Sequence, residues 1–320
     1  MKHEVRIVAL LLAMFVVTQL IGLVVIDSYT EKNVMIEGKN VTIGQKLPEF
    51  VQPPEMSPME AIIQILVAFA LAIGLFLLLT KFRAATLITV WFAFVVFTTL
   101  TISLNGLLYK ALPPVGIDLI WIAVIIALPL AFYKIFKRNL IVHNLTELLI
   151  YPGLAAIFVP LLKPWSIILL LVIISFYDMW AVWKSTFMVD LAKYQIKNLK
   201  IFTGFFVPYI PHKEMEKLEK AKAVKAKAVK AMAKGAKDGI KVSLALLGGG
   251  DVAFPLIFAG VMLRFGGGII PALLIILGST LGLLGLFMYS KKGKFYPAMP
   301  FITAGALAGW LAGWLMGLLI

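Results

Sequence analysis

Apolar stretches of about 20 residues recur along the whole chain, and the charged residues fall almost entirely in the gaps between them. A helix rising 1.5 Å per residue needs about 20 residues to cross roughly 30 Å of hydrocarbon. Hydrocarbon offers no partner to an unpaired backbone group, so each stretch predicts a membrane-spanning helix rather than a strand or loop. Nine segments are read, over approximately 5–26, 59–80, 84–108, 117–135, 140–162, 165–184, 241–263, 268–290 and 298–319. The fold class expected is an all-α polytopic membrane protein. With 61% hydrophobic and 14% charged residues, the chain does not have the composition of a soluble domain.

The net charge of +14 would point a soluble protein toward nucleic acid, but its distribution points to the bilayer instead. If alternate gaps lie on alternate sides, 24 of the 30 Lys and Arg residues share one face of the membrane. They are Lys2, Arg6, Lys81, Arg83, Lys134, Lys137, Arg138, Lys291, Lys292, Lys294 and fourteen lysines from Lys184 to Lys241. Lys32, Lys39, Lys46, Lys110, Lys163 and Arg264 fall on the other face. Basic loops stay cytoplasmic, so the N-terminus is expected inside and the C-terminus outside. The basic start and first apolar run also have the look of a signal peptide, but the run is too long and lacks a small-x-small cleavage site before Asp27, which favours an uncleaved anchor.

This divides the chain into an N-terminal bundle of about five helices, 1–164, with an external loop at 27–58, and a part of about four helices, 165–320, with a basic cytoplasmic loop at 189–240. Within that loop, residues 212–238 read as a Lys/Ala helix, either held near anionic lipid heads or solvated as a linker. Residues 201–210 are too short to span and are expected to lie in the interface. The absence of cysteine excludes disulfides, thiolate metal sites and a cysteine nucleophile, and His3, His143 and His212 lie far apart and show no metal spacing.

Against this background two aspartates stand out, Asp178 in Ser175-Phe-Tyr-Asp-Met-Trp180 and Asp251 in Leu247-Gly-Gly-Gly-Asp-Val252. A carboxylate inside a membrane helix costs on the order of 2.5–3.5 kcal/mol on insertion scales, which makes it a functional candidate by default. Asp178 precedes Lys184 by six residues and Asp251 follows Lys241 by ten, about 9 and 15 Å of helix, so both carboxylates can share one level in the cytoplasmic half of the bilayer. Two carboxylates a few ångströms apart in a low-dielectric site hold one proton between them, the state in which one acts as a general base on water and the other donates to a carbonyl oxygen. Helix–helix hydrogen bonding or a proton path would place aspartates at the same depth.

Gly248, Gly249 and Gly250 remove side chains beside Asp251, and Pro255 withholds a helical donor one turn later. In Tyr296-Pro-Ala-Met-Pro-Phe301, Pro297 and Pro300 withhold two amide donors at the start of the last segment. This suits either an irregular platform for an extended substrate strand or a plain proline-initiated helix.

With these pieces in view the sequence resembles the presenilin and signal peptide peptidase family of intramembrane aspartyl proteases, of the Gly-x-Gly-Asp type. The resemblance rests on Tyr177-Asp178, on Gly248-Gly249-Gly250-Asp251, and on Pro297-Ala298-Met299, in that order, with nine segments and a long loop between the aspartates. Short loops and a compact N-terminus look like a microbial or archaeal presenilin homologue in a prokaryotic cell membrane. The resemblance implies catalytic roles for Asp178 and Asp251, and site-shaping or substrate-binding roles for Tyr177, Gly248, Gly249, Gly250, Pro297, Ala298, Met299 and Pro300. It implies single-span membrane proteins or signal-peptide remnants as substrates, chemistry that needs no metal or organic cofactor, and no nucleic-acid partner. Met299 stands where the family has leucine, a volume-conserving change. The long loop lacks an apolar plug of the kind associated with self-cleavage, and activity as a single chain or homo-oligomer is expected.

Two rivals use similar residues. A proton-coupled transporter or cation channel also buries carboxylates, but no repeat relates 1–160 to 161–320. Prepilin-type peptidases share the Gly-x-Gly-Asp motif but give no reason for Pro297-Ala298-Met299. His143 and Glu147, as further relay groups, fall near a segment end and read as interfacial.

Overall fold

The computed structural model describes residues 5–36, 39–48, 57–82, 84–112, 118–137, 139–184, 203–209, 243–265, 268–290 and 296–319. They form nine long helices: α1 Val5–Ser28, α2 Pro58–Lys81, α3 Ala85–Ala111, α4 Leu119–Phe132, α5 Leu140–Phe158, α6 Pro164–Trp183, α7 Gly249–Phe265, α8 Ile269–Tyr289 and α9 Met299–Leu319. Seven stretches, in α1, α3, α4, α5, α6, α8 and α9, are long and apolar enough to cross a membrane. The architecture is that of a polytopic helical membrane protein. The expected helix at 212–238 lies outside the described residues.

Local chemistry sets the helix starts. Ser57 and Glu60 exchange side-chain and backbone hydrogen bonds at the start of α2, the Glu60 carboxylate accepting from Ser57 N–H at 2.8 Å and Ser57 Oγ from Glu60 N–H at 3.3 Å. Asp118 accepts from the Ile120 N–H and Asn139 from the Ile141 N–H, capping α4 and α5. Pro164 opens α6 where its missing donor costs nothing. Tyr133–Lys137 continues α4 as a π-turn, an uncommon arrangement with a consequence for Lys134 given below.

Two short β-ribbons interrupt the helical pattern. β1 Lys32–Ile36 pairs antiparallel with β2 Lys39–Ile43 inside the expected external loop. β3 Gly204–Tyr209 pairs antiparallel with β4 Ser243–Gly248, with Gly204 opposite Gly248 and Phe206 opposite Leu246. The segment read as a helix from 241 to 263 is therefore a strand up to Gly248 and a helix only from Gly249. The apolar run is continuous across that boundary, so length alone joins what backbone pairing separates. Within the expected interfacial stretch 201–210, the described residues 203–209 do not simply rest at the interface, because Phe205 and Val207 are buried in the main core.

α7 is the central helix. Val252, Leu256, Phe258, Ala259 and Val261 have no exposed surface, and α1, α5, α6 and α8 all touch it. Large apolar side chains such as Leu20, Trp91, Phe94, Ile125 and Trp165 point outward instead, the pattern expected when hydrocarbon is the solvent. α8 and α9 approach so closely that a Cβ on Gly305 would lie 2.1 Å from the Gly278 carbonyl oxygen. That packing of small residues holds α9 tightly against α8.

Candidate active site

Asp178 lies one turn before the end of α6, and Asp251 is the third residue of α7. Both are partly buried, and each lies within electrostatic reach of the other. Each carboxylate is held by backbone. Asp178 accepts from the N–H of Met299 at 3.0 Å and from that of Ala298. Asp251 accepts from the N–H of Gly248. These donors belong to the start of α9 and to the β4–α7 junction, so three separate stretches of sequence converge at one place.

The shape of that place depends on missing side chains. A Cβ on Gly248 would sit 3.0 Å from the Asp251 Oδ2, and a Cβ on Gly249 would sit 2.8 Å from the Tyr151 hydroxyl. Gly250 differs, since a Cβ there would meet nothing closer than 3.6 Å. Pro297 and Met299 are buried, while Ala298 and Pro300 are partly exposed. The donors left by this proline-rich start are the ones that reach Asp178. Tyr177, next to Asp178 on α6, is 38% exposed, and its ring lies 6.3 Å from that of Trp180.

Residues that composition and spacing do not reveal complete the surroundings. The hydroxyls of Ser175 and Thr303 hydrogen-bond at 2.9 Å in a buried contact, tying α6 to α9 one turn from Asp178 and Met299. Gln19 of α1 donates to the Val252 carbonyl at 2.9 Å, directly behind Asp251. Tyr151 of α5 is buried and lies within electrostatic reach of both Glu147 and Asp251.

The reading of His143 and Glu147 as interfacial needs correction. Glu147 is fully buried, and its Oε1 lies 2.5 Å from Lys134 Nζ, which the π-turn after α4 directs inward. A buried ammonium and carboxylate are tolerable only as a pair, which explains how both sit inside. Lys134 Nζ also lies 3.3 Å from His143 Nδ1, and His143 Nε2 lies 2.8 Å from the Gly204 carbonyl oxygen. Lys134 thus belongs to the interior, not to a basic cytoplasmic loop. Among the described residues no group of three or more His, Asp or Glu side chains is placed to hold a metal ion.

The sequence matches the family model described as signal-peptide peptidase, presenilin aspartyl protease over residues 12–318. The chain belongs to that family. It is an intramembrane aspartyl protease and a multi-pass membrane protein, and the transporter and prepilin-type alternatives are not favoured. Its fold is similar to that of a presenilin family intramembrane aspartate protease solved in two crystal forms. For the C222 form the TM-score is 0.61 at 19% identity, covering 97% of this chain and 99% of the other. For the P2 form it is 0.56 at 19% identity, covering 96% of each. No curated protein matches the sequence.

Proposed function

We propose that Asp178 and Asp251 are the catalytic pair and that this chain hydrolyses peptide bonds within single-span membrane proteins or signal-peptide remnants. The observation that carries the reading is their convergence from α6 and α7, within electrostatic reach of each other, with the Met299 N–H bonded to Asp178 and the Gly248 backbone against Asp251. With one proton between them, the ionised carboxylate takes a proton from water as its oxygen bonds to the scissile carbonyl carbon. The protonated partner gives its proton to the carbonyl oxygen. Collapse of the tetrahedral intermediate breaks the C–N bond: the departing nitrogen takes the proton gained from water, one hydroxyl of the intermediate returns its proton to the other carboxylate as the C=O re-forms, and the pair again shares one. Fixed backbone donors keep both carboxylates oriented through this exchange without reorganisation.

A membrane helix hides its carbonyls in its own hydrogen bonds, so the substrate must unwind locally before water reaches one. The unwound stretch then needs backbone partners. The Phe206 N–H and C=O face α5, away from β4, which makes Phe206–Leu246 a non-hydrogen-bonded pair and turns the Leu246 backbone toward the opposite edge of β4, which pairs with no other strand among the described residues. An extended peptide adding there would lie beside Asp251, with Pro297, Ala298 and Met299 on the Asp178 side. The Gly248, Gly249 and Gly250 backbone keeps that approach narrow and free of side chains. Tyr177 and Pro300 border the site.

All of these groups come from one chain, so a single copy suffices for chemistry. The catalytic part, 165–320, is supported by α1 and α5 of the N-terminal bundle, 1–164, and the orientation is N-terminus in, C-terminus out. The test is incubation of the purified protein with a panel of single-span substrates in lipid, followed by mass spectrometry of the products. Cleavage inside the spans, with a bell-shaped dependence on pH, is expected. Solute or ion flux without proteolysis would defeat the reading.

A further inference from the structure

Two strands joined through residues 210–242 pay a large closure entropy, and a lone two-stranded ribbon is marginal in stability. Something else must hold β3 in place. The outer edge of β3 shows what does so. The side-chain amide of Asn144 on α5 donates to the Phe206 carbonyl at 2.8 Å and accepts from the Phe206 N–H at 3.0 Å. One residue of a third strand would make the same two bonds. His143 adds its contact to the Gly204 carbonyl, its ring lies 4.9 Å from that of Phe206, and the Tyr151 ring lies 5.9 Å from that of Phe205.

We infer that Asn144 is a positioning residue: by standing in for a third strand it keeps β3–β4, and with them the Gly248–Asp251 turn, assembled before substrate arrives. The link to Asp251 is short, because β4 ends at Gly248 and Gly248 donates to the Asp251 carboxylate. The buried Lys134–Glu147 pair in turn fixes the α5 face from which Asn144 projects. If Asn144 is removed, the assembled state becomes a minor population that substrate must pull back together. Apparent affinity then falls in proportion to that population, while turnover of the bound complex is kept.

This inference rests on the protease reading for its kinetic part, so the experiment has an arm that needs no proteolysis. The chain has no cysteine, so Phe206→Cys with Leu246→Cys creates a single cross-linkable pair on facing strand positions. Oxidation without substrate should form the disulfide readily in the parent and about tenfold more slowly with Asn144→Ala, the loss of two hydrogen bonds setting the scale. Asn144→Asp, equal in size and keeping the acceptor for the Phe206 N–H, should fall between, and it carries the comparison alone if the alanine variant does not fold. In the cysteine-free protein, Asn144→Ala should raise KM about tenfold and leave kcat within about twofold. Unchanged cross-linking, or a loss confined to kcat, would overturn the inference. Asn144-dependent cross-linking in a parent that cleaves no substrate would uphold the assembly role and defeat the protease reading instead.

Discussion

Asp178 accepts a hydrogen bond at 3.0 Å from the backbone N–H of Met299, a residue 121 positions away. The bond turns the proline-rich start of α9 into part of the carboxylate's immediate surroundings. Pro297 and Pro300 have no N–H of their own, so Ala298 and Met299 are the donors this stretch can offer. A carboxylate held by backbone has fewer orientations than one held by long side chains.

Replacing Pro297 and Pro300 together by alanine should let α9 extend backward and draw the Ala298 and Met299 donors into the helix. Misplacement of this order costs roughly ten- to a hundredfold in rate. The check is cleavage of several substrates by a variant that inserts normally, and normal cleavage would return the prolines to a role in starting the helix.

Gly249→Ala should lower both stability and activity, because its Cβ would sit 2.8 Å from the Tyr151 hydroxyl. Gly250→Ala meets no such obstacle and should leave the thermal unfolding midpoint unchanged or slightly higher, since alanine is favoured over glycine in a helix by up to about 1 kcal/mol. Thermal unfolding of the two purified variants distinguishes them.

Lys134→Met alone should cost about 3–5 kcal/mol, because it leaves Glu147 buried without its partner. Adding Glu147→Leu should recover much of that loss, since an apolar pair of similar volume carries no desolvation penalty. Unfolding of the two single variants and the double variant completes the cycle.

Reporter fusions following Leu47 and Ile320 should both map outside, and a reporter near Lys225 inside. The 24-to-6 asymmetry of basic residues motivates this expectation, even with Lys134 reassigned to the interior. Ends that map to the same side would require an even number of crossings.

Most of the helices were legible because hydrocarbon thickness imposes a length, and all but α7, whose apolar run begins in the strand before it, carry an apolar stretch of that length. Asp178 and Asp251 were legible because charge inside such a segment is expensive. The strand Ser243–Gly248 was not, since its partner Gly204–Tyr209 lies across a long lysine-rich stretch and pairing at that separation leaves no periodic trace. Phe205, Phe206 and Val207, aromatic and β-branched in a row, were the one local hint. The burial of Lys134 and Glu147 and the role of Asn144 leave no mark in the sequence for a related reason. Their polarity near segment ends looks interfacial until the partner from another helix is seen.

The measurement closest to the central claim is cleavage of a single-span substrate by Asp178→Asn, by Asp251→Asn and by the double variant, each shown to be folded by an unchanged elution profile and thermal unfolding. If the two carboxylates share one catalytic proton, each single variant should lose at least about a thousandfold in activity, and the double variant should be no worse than either. Proteolysis by either single variant within about tenfold of the parent, in a preparation free of contaminating protease, would contradict the assignment.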